Sequence, residues 1–267
     1  MSDREAPSTG TAYYTYGVVP LDFPAGAFKG AQGVGERPVE LVASTEVAAL
    51  TSVVSLDEFG EEPLHANLND REWLERTARA HEDVLERALA AAPVIPFRLC
   101  TVYRGRDQVL DLLSNRGAAF ARLLDRLRGT VEVGVKVYLD RARFLEAAGA
   151  TPAPASPSGR EYMLRRQRER TVDEERERFK AECARSSHER LASVALAAEA
   201  NAPQPPEVSG RTDEMVLNGA YLVEAADGAL AEAVAELERA YGPRGVSYEL
   251  TGPWTPYNFV PRDLAET

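Results

Sequence analysis

Residues 131–139, Val-Glu-Val-Gly-Val-Lys-Val-Tyr-Leu, carry an apolar side chain at every odd position. A strand turns successive side chains to opposite faces, so this stretch buries one face and shows the other. Glu132, Gly134, Lys136 and Tyr138 form the second face. Such a strand needs partners on both sides and a covering layer against its apolar side. The elements around it therefore decide the fold.

After a Pro-rich stretch at 149–159 comes a long helix from about Arg160, crowded with charge through residues 165–178. Arg170 with Glu174, and Glu174 with Arg178, stand four apart and are expected to support it by about 0.2–0.5 kcal/mol a pair. Tyr162, Leu164, Val172, Phe179 and Cys183 give it only a narrow apolar seam. Residues 191–200 favour helix by alanine content, while topology asks for a strand at about 192–199; we take the strand. A strand over 214–225 and a helix over 228–241 follow, the helix with Leu230, Val234, Leu237 and Tyr241 inward. The last strand alternates Val246, Tyr248 and Leu250 with Ser247 and Glu249 until Gly252-Pro253 stops it.

Trp254, Tyr257 and Phe259 then stand within six residues, stiffened by Pro253 and Pro256. Our expectation is that this segment folds back over its own sheet and closes the C-terminal half. Emptying a buried Trp254 would then cost about 3–5 kcal/mol. The rival is an exposed, partner-binding loop.

The first half opens with a strand over 13–19, followed by a loop over 20–38 and strands over 39–43 and 46–55. A helix capped by Asn69 or Asp70 comes next, with Trp73, Leu74, Thr77, His81, Val84, Leu85 and Ala88 on one face. A strand over 94–103 is confined by Pro96 to an edge or a strand start. A second amphipathic helix carries Val109, Leu113, Phe120 and Leu124, with Gly117 as a possible break.

The resulting fold class is α+β: two ferredoxin-like (βαββαβ-type) domains, the first with a loop in place of its first helix. The domains are 13–130 and 131–267, after a disordered tail at 1–12. With one helix missing, the first domain is expected to leave an apolar groove, or to fill it with the helix after Arg104.

A formal net charge of −11 in 267 residues argues against nucleic acid or an anionic membrane as partner. No run reaches the roughly 18 apolar residues of a membrane span, and the first residues lack a secretory apolar core. Cys100 and Cys183 are too far apart for a metal or redox pair, so a cytosolic protein with unpaired thiols is expected. His65 in a loop, His81 on an apolar helix face and His188 near a helix end make no ligand spacing. His81 reads as a satisfied structural histidine and Cys100 as core. Arg98 is the best lone functional candidate, with a carboxylate partner as its default role. No phosphate-binding or nucleophile motif occurs. No catalytic, cofactor-binding or metal residue is assigned and no cofactor is expected.

Several stretches resemble the gas vesicle accessory proteins of the F/L type (GvpF/GvpL). They are residues 14–19, Tyr-Thr-Tyr-Gly-Val-Val; 96–102, Pro-Phe-Arg-Leu-Cys-Thr-Val; Glu132 with 134–138; and Gly159 to Tyr162 with Arg165 and Arg166. Residues 215–223 and the closing 252–259, Gly-Pro-Trp-Thr-Pro-Tyr-Asn-Phe, complete the set. Leu99-Cys100 departs from the family's Phe-Gly, which puts in doubt the role of a flexible glycine there. The resemblance implies a non-enzymatic role in gas vesicle assembly, in the cytoplasm and at the vesicle. The implied partners are the small apolar wall protein of the GvpA type and other accessory proteins. A small-ligand-binding or enzymatic protein on paired ferredoxin-like domains is the alternative.

Overall fold

The computed structural model describes residues 10–149, 159–206 and 210–265. Most of the expected tail and of the Pro-rich stretch at 149–159 lie outside them. The chain divides into two compact units, Met1–Thr130 with Thr255–Thr267, and Val131–Trp254.

In the first unit, β1 (Thr11–Pro20) begins inside the expected tail and pairs antiparallel with β3 (Val47–Ser55). β2 (Glu40–Ala43) lies beyond β3. On its other side β1 meets β4 (Ile95–Pro96) and β5 (Val102–Tyr103). The sheet order is β2-β3-β1-β4, so Pro96 stands on an edge where its missing N–H costs nothing. The single strand expected over 94–103 is two short pieces, because Cys100 takes a left-handed backbone (φ 64°) and the chain turns there.

Both faces of this sheet are covered, which corrects the expectation of a groove. α3 (Arg71–Ala91), capped by the Asp70 carboxylate, lays Trp73, Val84, Leu85 and Ala88 against Tyr14, Tyr16, Leu50 and Val54. The short helices α1 (Leu56–Phe59) and α2 (Glu61–Asn67) precede it; His65, expected in a loop, sits in α2. The place of the missing helix is taken by Phe23, Phe28 and Val34 of the 21–39 loop, which join the same core. α4 (Arg106–Leu127) packs against the opposite side of β1, β2 and β3, where Val47, Ala49 and Thr51 are buried. α4 is unbroken at Gly117, which is buried and lies against the Glu46 side chain. Fully buried Phe120 meets Phe97 at 6.2 Å between ring centroids.

The second unit has β6 (Thr130–Leu139), α5 (Arg141–Ala147), α6 (Gly159–Ala192), β7 (Ala197–Asn201), β8 (Glu214–Glu224), α7 (Ala229–Tyr241) and β9 (Val246–Trp254). Its sheet order is β7-β8-β6-β9. Val135, Val137 and Leu139 face Phe179, Cys183, Leu191, Leu230 and Val234 of α6 and α7, as the alternation of 131–139 requires. α6 runs to Ala192, so the strand we placed at 192–199 starts five residues later. Ala192 ends the helix, residues 193–196 turn, and Ala197, Ala198 and Ala200 lie in the strand despite their helical propensity.

Arg178 reaches the Glu174 carbonyl (3.4 Å), and neither expected carboxylate pair forms. The charges of α6 are used laterally instead: Arg141 pairs with Asp173 (3.3 Å), and Lys180 with Glu214. The side chains of Arg160 to Tyr162, Leu164, Arg165 and Glu169 lie outside the described residues.

β9 continues through Gly252-Pro253 to Trp254, contrary to the stop expected there. Gly252 and Pro253 face Val133 alone in a register shift, and β9 is an edge strand, so the proline's missing donor is harmless.

The aromatic segment is the main correction. Trp254 is 45% exposed, and Thr255–Thr267 belongs with the first unit. It does not close the second sheet, whose apolar side α6 and α7 already fill. Trp254→Ala is therefore expected to cost under about 1 kcal/mol, as for surface changes, whereas Phe120→Ala should cost about 3–5 kcal/mol. Urea unfolding midpoints of the two variants check this ordering.

Candidate functional site

Buried polar groups converge where β1, α3 and the turn between β4 and β5 meet. Tyr14 and Tyr16, two apart in β1, both enter the α3 side of the sheet, and the bulge between Thr15 and Gly17 shifts the alternation so that Val19 follows them. Tyr16 hydrogen-bonds Ser52 (2.8 Å) and accepts from the Val34 N–H (2.8 Å), while Ser52 donates to the Pro38 carbonyl (2.9 Å). These bonds fasten the loop that replaces a helix. Gly33 permits them, since a side chain there would collide with the Tyr16 hydroxyl.

Tyr14 serves a second network. Its hydroxyl accepts from the Cys100 N–H (3.1 Å) and lies 2.9 Å from His81 Nδ1. His81, 1% exposed, has its Nε2 3.2 Å from the Tyr257 hydroxyl, which donates to Glu82 (3.0 Å). The neighbours dictate the tautomer. Tyr257 spends its proton on the carboxylate, so it accepts from Nε2–H, and Nδ1 accepts from Tyr14. Each ring nitrogen then has one role, and only neutral imidazole satisfies both.

Burial holds His81 neutral, lowering its pKa to about 4, with the Phe97 main chain pulling weakly the other way. Burial also raises the Tyr14 and Tyr257 hydroxyls and the Glu82 carboxyl above their ordinary ranges. It pushes the Cys100 thiol up to about 11, so Cys100 is a packed thiol and no thiolate nucleophile near neutrality.

Tyr257 stands 176 residues from His81 in the chain. The segment that carries it is also held by Arg116 of α4, which donates to the Asp263 carbonyl (2.6 Å), and by buried Val260 and Leu264. Since α3 and α4 cover opposite faces, the segment reaches from one face of the first sheet to the other. Its own backbone bonds, such as Phe259 N–H to Pro256 O (3.1 Å), stay within it. Among the described residues it pairs with no strand of the sheet, and side-chain contacts together with the Arg116 bond to the Asp263 carbonyl dock it, so it is a strap and not a strand.

The other residues singled out in the sequence stay apart from this network. His188 hydrogen-bonds Tyr221 (3.0 Å) on the second unit's core, and His65 is exposed. Arg98 has an exposed side chain, and its carbonyl closes the turn by accepting from Thr101. Cys183 is buried beside Ser187 and Tyr248. Among the described residues no group of three or more His, Cys, Asp and Glu could hold a metal ion, and no helix is long and apolar enough to cross a membrane. The sequence missed Tyr257 as a partner of His81, because no local pattern joins residues so far apart.

Two antiparallel sheets with helical cover, and a buried network that fastens segments of its own chain, define an α+β protein of the GvpF structural type. Crystal structures of GvpF from Anabaena sp. PCC7120 (TM-score 0.68, 18% identity, 94% of this chain and 96% of that one) and Microcystis aeruginosa (TM-score 0.65, 21% identity, 93% and 98%) share the fold. The chain belongs to the family of gas vesicle synthesis proteins GvpL/GvpF, whose model matches residues 12–261. It is 37% identical to gas vesicle protein L of Streptomyces sp. (strain CB03234), over 95% of this chain and 94% of that protein. It is also 28% identical to gas vesicle protein F of the same strain, over 92% and 98%.

Two predictions test the network. A histidine with a depressed folded pKa stabilises the fold fully above its unfolded value, about 6.5, and loses that contribution as pH falls toward about 4. The loss is on the order of 3 kcal/mol. Glu82, whose folded pKa is raised, works in the opposite sense as it protonates. Stability measured by urea between pH 7 and pH 4 should therefore fall more steeply in the native chain than in His81→Gln. For Cys100, left-handed backbone disfavours a branched side chain. Cys100→Val should cost about 1–2 kcal/mol in the same assay, whereas Cys100→Gly should be tolerated.

Proposed function

We propose that this protein is a non-enzymatic accessory factor in gas vesicle assembly, acting in the cytoplasm and at the vesicle. Its partners in this reading are the small apolar wall protein of the GvpA type and other accessory proteins. The family match across residues 12–261 carries the proposal. The character of the polar network supports it: His81, Tyr14, Tyr257 and Glu82 bind one another and fasten the strap. A wall subunit with one apolar face aggregates unless something holds or delivers it, and an acidic chain of net charge −11 resists joining that aggregate.

We further read both units as ferredoxin-like domains, 13–130 and 131–254, with the strap returned to the first. The shared order of the sheets, β2-β3-β1-β4 and β7-β8-β6-β9, supports that reading, as does the loop standing for a helix in the first.

The test is made in cells that form vesicles. Deleting the chain should abolish vesicles, seen as loss of pressure-sensitive light scattering. His65→Gln with His188→Gln should restore them as fully as the native chain, and tagged chain should co-purify with wall protein. Normal vesicles in the deletion strain would refute the assembly role.

A further inference from the structure

The outer ridge of α4 carries charges that its own chain leaves unmatched. The buried residues of this helix, from Val109 to Leu127, face the first sheet. On the opposite side, steps of three and four residues lead from Asp107 through Asp111, Asn115, Ala118 and Arg122 to Arg126, and all six are exposed. Among the described residues none of the four charged members has an ion pair or a side-chain hydrogen bond, while Asp125 beside them is taken by Arg128 (3.4 Å). Asp107 and Asp111 stand four apart, as do Arg122 and Arg126, and like charges at that spacing weaken a helix. The helix dipole accounts for Asp107 in the first turn and Arg126 in the last. Its influence falls off within those turns, so it leaves Asp111 and Arg122 unexplained.

We propose that this ridge pairs antiparallel with the same ridge of a second copy of the chain, across a twofold axis between Arg116 and Gly117. The steps along it, four, four, three, four and four, read the same in both directions, while the charge reverses from acid to base. An antiparallel twofold contact therefore sets Asp107 opposite Arg126 of the other copy and Asp111 opposite Arg122, each pair occurring twice. A parallel arrangement would set like charge on like. At the centre Asn115 faces Ala118 of the other copy, and short side chains there let the helix axes approach to about 8 Å. Arg116, which holds the strap, lies off this ridge. Such a contact is isologous, the ordinary form for two identical chains. Two chains of net charge −11 repel at long range, which disfavours contacts between their acidic faces and leaves this one, where unlike charges meet. The pairing goes beyond the assembly role and does not depend on it.

Sedimentation velocity of the full chain tests the proposal. The native chain should form a dimer at low salt that weakens at least about tenfold at high salt, since exposed charges are screened. Asp107→Arg with Asp111→Arg makes all four charged positions basic and should give monomers. Arg122→Glu with Arg126→Glu makes all four acidic and should do the same. All four positions are exposed, so circular dichroism should show native helix content in both variants. Mixing the two should restore a dimer, because every reversed charge then meets its opposite. A native chain that stays monomeric at low salt, a dimer indifferent to either charge reversal, or a mixture that remains monomeric would each overturn the proposal.

Discussion

A neutral imidazole held between two tyrosine hydroxyls joins four parts of the first unit that are remote in sequence. Tyr14 comes from β1, His81 and Glu82 from α3, Cys100 from the turn after β4, and Tyr257 from the strap. Each net hydrogen bond contributes only about 0.5–1.5 kcal/mol. Leaving buried Tyr14 or His81 without a partner would cost more, which ties the groups that bind them together. The arrangement fixes the left-handed turn at Cys100, the entry of Tyr14 into the core and the path of the strap at once.

The two sheets solve the same covering problem differently. In the first, the loop at 21–39 carries Phe23, Phe28 and Val34 into the core where a helix is missing, and Tyr16, Ser52 and Gly33 hold it there. α4 then covers the opposite face, so β1 is buried on both sides from Tyr14 to Pro20. In the second, α6 and α7 cover one side.

For a family whose members take part in gas vesicle synthesis, this design separates two tasks. Interior polar groups are committed to holding the chain together. Charged groups at the surface tie elements of the second unit to one another, Arg141 to Asp173 and Lys180 to Glu214.

Much of this was legible in the residues. The alternation of 131–139 set the buried face of β6, the spacing from Trp73 to Ala88 set the face of α3, and Asp70 marked its start, because period and capping are local properties. The family was legible too, from motifs spread along the chain. Cys100 shows where local reading stops: its position in the motif was plain, but the left-handed backbone that a glycine would have signalled appears only once Tyr14 binds its N–H. The aromatic closing segment shows it again. Trp254, Tyr257 and Phe259 announced a docking element, but which sheet it docks on depends on whether a partner such as His81 is within reach. The second sheet already had its helices, and His81 offered Tyr257 a partly buried hydrogen bond. That choice was made by packing between residues 176 positions apart, which no local pattern encodes.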